Sequence, residues 1–261
     1  MDETTELDEA HAAMEAAPED DGARLRFYER LADSELFLVL DAEARGEAIT
    51  PASFEVEDQE FVLVFDRVER LAGFVGEGAD YAAMAGRALA VMLAGQRLGL
   101  GLNLAVAPSA MLIPAEAVDW LAATLARGPE ARDAQPVEVF APTGLPEAVV
   151  RGLDRKLALA AGMARWAWLA GVAYDDGTRS HLLAFVDALP VAQAALAAAV
   201  SEALTFSGIE AGMIDVAFIA SSDPMAARLA KVGLRFDLPE PARAEAPGAP
   251  GMDPDRPPKL R

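Results

Sequence analysis

A short polar stretch in the middle of the chain constrains the fold more than any other feature of the sequence. Residues 127–136 (RGPEARDAQP) combine proline, glycine and charged side chains and contain no large apolar residue. This composition is typical of a linker, because it offers nothing to bury. The 261-residue chain is therefore predicted to form two domains, 23–126 and 137–238, each of about 100 residues, which is a common domain size.

The two ends of the chain are predicted to be disordered tails. Residues 1–22 contain nine acidic side chains and no lysine or arginine, and residues 239–261 are rich in proline and glycine. Segments with few large apolar residues cannot offset the entropy lost on ordering. The first tail contains His11, to which we assign no role.

Composition excludes several functional classes. The chain has no cysteine and only two histidines, His11 and His181, so thiolate zinc sites, iron–sulfur clusters and multi-histidine metal centres are excluded. A net charge of −20 disfavours contact with nucleic acid. The N-terminus lacks the basic start and apolar run of a signal peptide, and no window reaches the ~20 strongly apolar residues of a membrane span. We therefore expect a cytoplasmic protein with no metal, no cofactor, and neither nucleic acid nor membrane as a partner.

Apolar spacing predicts that the first domain is α+β. The polar turn 57–59 is expected to join two strands as a hairpin. Asp66 follows the second of them and is expected to cap a helix. The predicted helices cover 23–33, 66–74, 86–96 and 114–125, and the predicted strands cover 35–40, 54–56, 60–65, 81–84 and 100–106.

The second domain has a regular alternation of predicted elements. Its order, β-α-β-β-α-β, is that of the split βαβ, or ferredoxin-like, fold. A last helix is expected to start at Asp223-Pro224, and Leu234–Asp237 is expected to be an edge strand. The predicted strands cover 137–141, 165–174, 180–187 and 213–220, and the predicted helices cover 145–161 and 190–206.

Several segments resemble the SseB family of bacterial proteins, named for enhanced serine sensitivity. The N-terminal segments are EDQEFVLVFDRVERLAGF, YAAMAGRALAVML and GLGLNLAVAPSA, and the C-terminal segments are YDDGTRSHLLAFVD, MIDVAFIASSDP and LRFDLPE. The family more often has threonine where this chain has Asp66. The resemblance implies a two-domain cytoplasmic protein with no established enzymatic activity, and it supplies no catalytic residues.

One predicted strand stands out as a candidate surface for a partner. Trp166 and Trp168 alternate with Ala170, Val172 and Tyr174, which places all five side chains on one face of the strand. An aromatic strand face can stack nucleic-acid bases, but the net charge argues against that use. The row is therefore either core or a binding surface for a protein, and Trp166, Trp168 and Tyr174 are the candidate partner-binding residues.

Other chemistry-bearing residues have simpler explanations. Ser180 and His181 are adjacent on a predicted strand, so their side chains should point to opposite faces, which argues against a hydrolase. Asp175-Asp176-Gly177 lacks the further ligands of a calcium loop and is typical of a turn. The glycines of 99–101 lie between a helix and a strand, the reverse of the order in a phosphate loop, and are expected to end the helix.

Two functions remain open. The first is a non-catalytic protein-interaction or regulatory module, because no catalytic, metal or phosphate constellation is recognisable. The second is a small-molecule sensor, which the ferredoxin-like order and the association with serine sensitivity both suggest by analogy. For the second, an amino acid is the expected ligand.

Overall fold

The computed structural model describes residues 4–41, 49–76, 78–127, 136–208 and 214–240. Two separate mixed sheets, each with its own helices, lie on either side of residues 128–135. The helices are α1 Glu6–Ala16, α2 Asp21–Asp33, α3 Val68–Val75, α4 Gly86–Leu93, α5 Ala115–Leu125, α6 Glu147–Ala158, α7 Gln193–Phe206 and α8 Pro224–Val232. The strands are β1 Glu35–Val39, β2 Ser53–Val56, β3 Gln59–Phe65, β4 Tyr81–Ala85, β5 Leu98–Leu102, β6 Met111–Ile113, β7 Pro136–Phe140, β8 Trp166–Tyr174, β9 Arg179–Val186, β10 Ile214–Ile219 and β11 Leu234–Asp237.

The N-terminal sheet has the order β4-β1-β3-β5-β6, with β2 paired to β3. Strands β3 and β5 run parallel, and their carboxyl ends lie side by side. Strands β2 and β3 form the predicted hairpin, whose two loop residues, Glu57 and Asp58, have φ of 48° and 62°. Positive φ at both loop residues is the geometry that matches the twist of paired strands.

One face of this sheet is covered by α2, α4 and α5, which enclose the larger core of the N-terminal unit. Helix α4 approaches α2 so closely at Gly86 that a Cβ there would lie 1.9 Å from the Leu31 carbonyl oxygen. Gly99 and Gly101 lie within β5, where the rings of Phe61 and Phe54 occupy the space that side chains would fill. The expectation that these glycines end a helix is therefore wrong.

The C-terminal sheet has the order β10-β9-β8-β11, and β7 pairs with β8 along the same edge as β11. In a ferredoxin-like fold the first strand would lie between the third and the fourth. Here β7 pairs antiparallel with the next strand, β8, and β9 pairs parallel with β10. The element order was predicted correctly, but the ferredoxin-like topology is wrong.

Gly171 gives a physical reason for the observed pairing. It lies opposite Phe140 of β7, and a Cβ at this position would be 2.1 Å from the Phe140 ring. Strand β8 is nine residues long, so its edge has room for both β7 and β11. The expected edge strand Leu234–Asp237 is confirmed as β11.

The acidic N-terminus is not a disordered tail as predicted, because it forms α1. Thr5 and Asp8 form a reciprocal capping box at the start of this helix. Leu7 and Asp8 are buried against the body, and the ring of buried His11 makes an edge contact with Phe27 at 5.8 Å. Acidic residues in the first turn also interact favourably with the helix dipole.

The remaining boundary predictions fall mainly on residues that the structure does not describe. Residues 128–135 of the predicted linker and 241–261 of the predicted C-terminal tail lie outside the described ranges. Within the described residues, no helix is both long enough and apolar enough to cross a membrane.

Candidate functional site

The two units meet where α2 and α4 of the first unit face α6 and α7 of the second. Phe206, the last residue of α7, is 1% exposed and belongs to the core of the first unit. Its ring makes an edge contact with Trp120 of α5 at 6.5 Å. An apolar side chain from one unit thus completes the core of the other.

Four charged residues form what we call the interface network, namely Asp33, Arg87, Lys156 and Glu202. The Lys156 ammonium donates to both Asp33 carboxylate oxygens, at 2.9 and 2.7 Å, and to Glu202 Oε2 at 2.8 Å. The Arg87 guanidinium donates to the same two carboxylates, at 2.6 Å to Asp33 and at 3.0 and 3.1 Å to Glu202. Two cations and two anions therefore balance across the interface.

Exposure separates the two cations. Lys156 is 4% exposed, whereas the Arg87 side chain is 43% exposed. Burial lowers the pKa of Arg87, but the bonds to Glu202 and Asp33 outweigh it and raise that pKa above its usual value. The network fixes α2 and α4 against α6 and α7.

Beside this network a cleft of about 300 Å³ opens between α2, α6 and α7. We call it the arginine cleft, because three arginines and one glutamate are its charged residues. Arg151 and Arg155 are one turn apart on α6, and Arg26 faces them from α2. The lining residues are Arg26, Glu29, Ala148, Arg151, Gly152, Arg155, Ala203, Phe206 and Ser207.

Glu29 gives the arginine cleft an unsatisfied acceptor. Its side chain is 2% exposed, and its Oε2 accepts from Arg155 at 3.2 Å and contacts Arg30 at 3.3 Å. Its Oε1 has no hydrogen-bond partner among the described residues, and neither has the buried Nε of Arg155. Buried polar groups are normally paired, so these two atoms suit a ligand or ordered water.

A second buried network joins α1 to the body of the N-terminal unit. We call it the α1 network, and its members are Thr5, Asp8, Asp66, Arg70, Asn103 and Ser109. Asp66 was predicted to cap α3, but the residue at the capping position is Arg67, and no side chain caps this helix. Asp66 instead accepts from Arg70 at 2.8 and 3.0 Å and from the Thr5 hydroxyl at 2.7 Å.

The charge of Asp8 is stabilised by donors on three sides. The Arg70 guanidinium donates to both of its oxygens, at 2.5 and 3.2 Å, and the Ser109 hydroxyl donates at 2.5 Å. Burial raises the pKa of Asp8, but the hydrogen bonds from Arg70, Ser109 and the Thr5 backbone outweigh it and hold that pKa well below its usual range.

The aromatic row on β8 is divided between core and surface. Tyr174 is 5% exposed and donates its hydroxyl to Asp215 at 2.8 Å. Trp168 is partly buried against the small core under α8. Trp166 is half-buried with the guanidiniums of Arg165 and Arg235 at 4.6 and 4.8 Å from its ring, and its buried Nε1 has no partner among the described residues.

The other candidate residues do not assemble into a reactive site. Ser180 and His181 lie on opposite faces of β9, and His181 Nε2 lies 3.0 Å from the Thr143 carbonyl oxygen. Gly177 has a φ of 81°, as expected for the turn between β8 and β9. No group of three or more potential metal ligands occurs within the described ranges.

The arginine cleft and both networks were not predicted from the sequence. Glu147, Arg151 and Arg155 recur four residues apart, which indicates a charged stripe on α6. That spacing cannot reveal that Glu29 faces the stripe, because Arg155 and Glu29 are 126 residues apart. The one readable signal at α1 was the capping box itself.

A family model places the N-terminal unit among known sequences. Residues 7–120 match the SseB protein N-terminal domain, and the match begins within α1, which makes this helix part of the domain. The resemblance of the C-terminal segments remains a prediction, because the match ends before them. Neither a curated protein nor a solved structure matches the chain. The comparisons therefore identify an SseB protein N-terminal domain over residues 7–120, which is less than half of the chain.

Proposed function

We propose that this chain is a non-catalytic regulatory protein of the cytoplasm that binds a small zwitterion, of the size and charge of an amino acid, in the arginine cleft. The observation that carries the proposal is the combination of three arginines with the free Oε1 of buried Glu29 in one cleft. A ligand carboxylate would pair with guanidinium groups, and a ligand ammonium would donate to Glu29.

Charge and size both support a ligand of this class. Within a chain of net charge −20, the cleft gathers three guanidinium groups that can donate to an anionic group, although Arg26 also pairs with Asp20 and Arg151 with Glu147. Arginine presents a planar fork of donors that matches a carboxylate. A cleft of about 300 Å³ lies at the lower end of the range for small-molecule sites, so it suits a metabolite rather than a dinucleotide.

The arrangement around His181 supports a role without catalysis. A serine hydrolase needs its nucleophile and its base within hydrogen-bond reach. Ser180 Oγ instead donates to the backbone carbonyl of His181 at 3.4 Å, and the imidazole lies on the other face of the sheet. We expect any hydrolytic activity of purified protein to persist in His181→Ala, which would show that the activity does not depend on this residue.

Thermal unfolding tests the ligand. A panel of amino acids is added at millimolar concentration, and L-serine is compared with glycerate, which lacks the ammonium, and with L-serine methyl ester, which lacks the carboxylate. A ligand at about ten times its Kd stabilises the folded state by about 1.4 kcal/mol, which raises the melting temperature by about 3–5 °C in a chain of this size. We expect the melting temperature to rise with at least one amino acid and to stay unchanged with the analogues that lack its ammonium or its carboxylate.

Two matched arginine variants make the result specific. Arg151→Gln removes a guanidinium from the cleft, whereas Arg24→Gln removes an exposed one from α2 that pairs with Asp21 outside the cleft. The ligand-induced rise should disappear in Arg151→Gln and persist in Arg24→Gln. The proposal is contradicted if no amino acid raises the melting temperature of the wild-type chain. It is also contradicted if the ligand-induced rise is lost equally in both variants.

A protein partner at β8 is the second candidate function, and Trp166 favours it. Its buried indole N–H lacks an acceptor among the described residues, and a backbone carbonyl of a partner would supply one. If Trp166 and Trp168 bind a protein, Trp166→Ala should lose a stoichiometric partner that Trp120→Phe keeps in affinity purification. Tyr174 is buried, so it would not contact the partner itself.

A further inference from the structure

The α1 network lies where open sheets commonly bind ligands. Asp66 follows β3 and Asn103 follows β5, so both stand at the carboxyl ends of neighbouring parallel strands. Ligands of open α/β sheets bind in the crevice outside such ends. Here α1 covers the crevice, and its Asp8 carboxylate reaches into it.

The residues that receive Asp8 are held in place without the help of α1. The Arg70 guanidinium is oriented by two hydrogen bonds that it donates to the Asp66 carboxylate. The Asn103 side chain donates to Ser109 Oγ at 2.9 Å and accepts from the Asp66 backbone N–H at 3.0 Å. All four residues belong to the body of the N-terminal unit, so the donors toward Asp8 are preorganised.

Asp8 occupies this pocket as a bound carboxylate would. A guanidinium that donates to both carboxylate oxygens is the recurrent geometry of carboxylate recognition. The Ser109 hydroxyl completes the shell, and the Arg70 side chain is 2% exposed. The buried Nε of Arg70 has no partner among the described residues, so the guanidinium has donor capacity that Asp8 and Asp66 do not use.

Helix α1 packs along α2, where Arg30 donates to Glu6 at 3.0 Å, but few of its side chains are buried. Leu7, Asp8 and His11 are its only buried residues, while Ala10 and Met14 pack partly against the core. No basic residue in its last turn compensates the negative end of the helix dipole. A short helix held this way opens locally at a lower free energy than the sheet beneath it.

We propose that Arg70 and Ser109 form a receptor for an acidic helix, in which α1 is the resident ligand and an incoming helix of the same chemistry is the competitor. The required chemistry is an N-terminal turn with Thr or Ser as the cap and Asp three residues later. The cap hydroxyl binds Asp66 and the aspartate binds Arg70 and Ser109, as Thr5 and Asp8 do. This site is separate from the arginine cleft and does not depend on its ligand.

The test uses the full-length chain and a fluorescent peptide with the sequence of residues 4–17, followed by anisotropy. Asp8→Asn in the chain weakens the resident helix and leaves the receptor intact. We expect the peptide to bind Asp8→Asn at least tenfold more tightly than it binds the wild-type chain. A peptide with the Asp8→Asn change should bind at least tenfold more weakly than the wild-type peptide.

Controls separate recognition from charge and from unfolding. A peptide with Glu9→Gln loses the same charge at an exposed position of α1 and should bind like the wild-type peptide. Leu7→Ala in the chain is a second way to loosen α1, to be used if circular dichroism shows that Asp8→Asn is unfolded. Equal binding of all peptides, or no binding to a folded chain with loosened α1, would overturn the proposal.

Discussion

Both buried charge networks stabilise ionised side chains that are removed from water, but they do so in different ways. The interface network pairs two cations with two anions. The α1 network instead surrounds two carboxylates with one guanidinium and with neutral donors from Thr5 and Ser109, and Asn103 donates to the Ser109 hydroxyl. The first depends on charge balance and the second on hydrogen-bond geometry. Removal of a charge should therefore matter most at the interface, and removal of a hydroxyl should matter most under α1.

The largest effect is expected from Lys156→Met. The change leaves Asp33 and Glu202 with Arg87 as their shared cation in a largely buried setting. Loss of one member of a buried ion pair costs about 3–5 kcal/mol, because the remaining charge stays desolvated. Chemical denaturation should show this loss, while Lys231→Met on exposed α8 should change the free energy of unfolding by less than about 0.5 kcal/mol.

A smaller loss is expected from Ser109→Ala. The hydroxyl donates to ionised Asp8 and accepts from Asn103, and the site is buried. A hydrogen bond to a charged group contributes about 1.5–3 kcal/mol, and urea denaturation should report a loss in that range. Ser222→Ala, at an exposed position, provides the control. If both serine variants were equally stable, the neutral donors would not hold the α1 network together.

Acid should act on Asp8 in a defined direction. Its pKa is lowered in the folded state, so below its ordinary value of about 3.9 the unfolded chain binds a proton that the folded chain does not. Stability from this group is therefore complete at neutral pH and declines as pH falls below about 4. Between pH 7 and pH 3 the wild-type chain should lose about 1 kcal/mol more than Asp8→Asn. Parallel pH profiles for the two chains would contradict this assignment.

The smallest effect is expected from Arg87→Gln, which sharpens the comparison within the interface network. Arg87 and Lys156 bind the same two carboxylates, but the Arg87 side chain is 43% exposed. Solvent screens such a pair, so the loss should be about 1 kcal/mol or less and should shrink in high salt. A loss equal to that of Lys156→Met would show that exposure does not separate the two cations.

Local features of the fold were predictable from the sequence. The hairpin at Glu57 and Asp58 and the turn at Gly177 are confirmed, because their conformation depends on a few neighbouring residues. The boundaries of most helices and strands agree within a few residues, since apolar periodicity reports burial directly. Strand β6, three residues long, was missed for the same reason, because it is too short to show a period.

The errors arose where distant residues decide the outcome. Helix α1 was missed because the prediction rested on acidic composition and took no account of the capping box of Thr5 and Asp8, and because the residue that anchors the helix, Arg70, is 62 residues away. The ferredoxin-like topology was wrong because the order of strands along the chain does not fix which strands pair. Here the Phe140 ring of β7 packs against Gly171 of β8. The arginine cleft could not be predicted for a related reason, because Glu29 and Arg155 lie far apart in the sequence and come into contact only in the folded chain.

The position of Phe206 has a consequence for how the chain matures. The family domain ends at residue 120, yet the core of that domain includes a side chain that the ribosome adds 86 residues later. During synthesis the core of the N-terminal domain therefore stays incomplete until α7 has been added and Phe206 can pack into it. The end of the family-model match and the point at which the core of this domain is complete are therefore two different places in the chain.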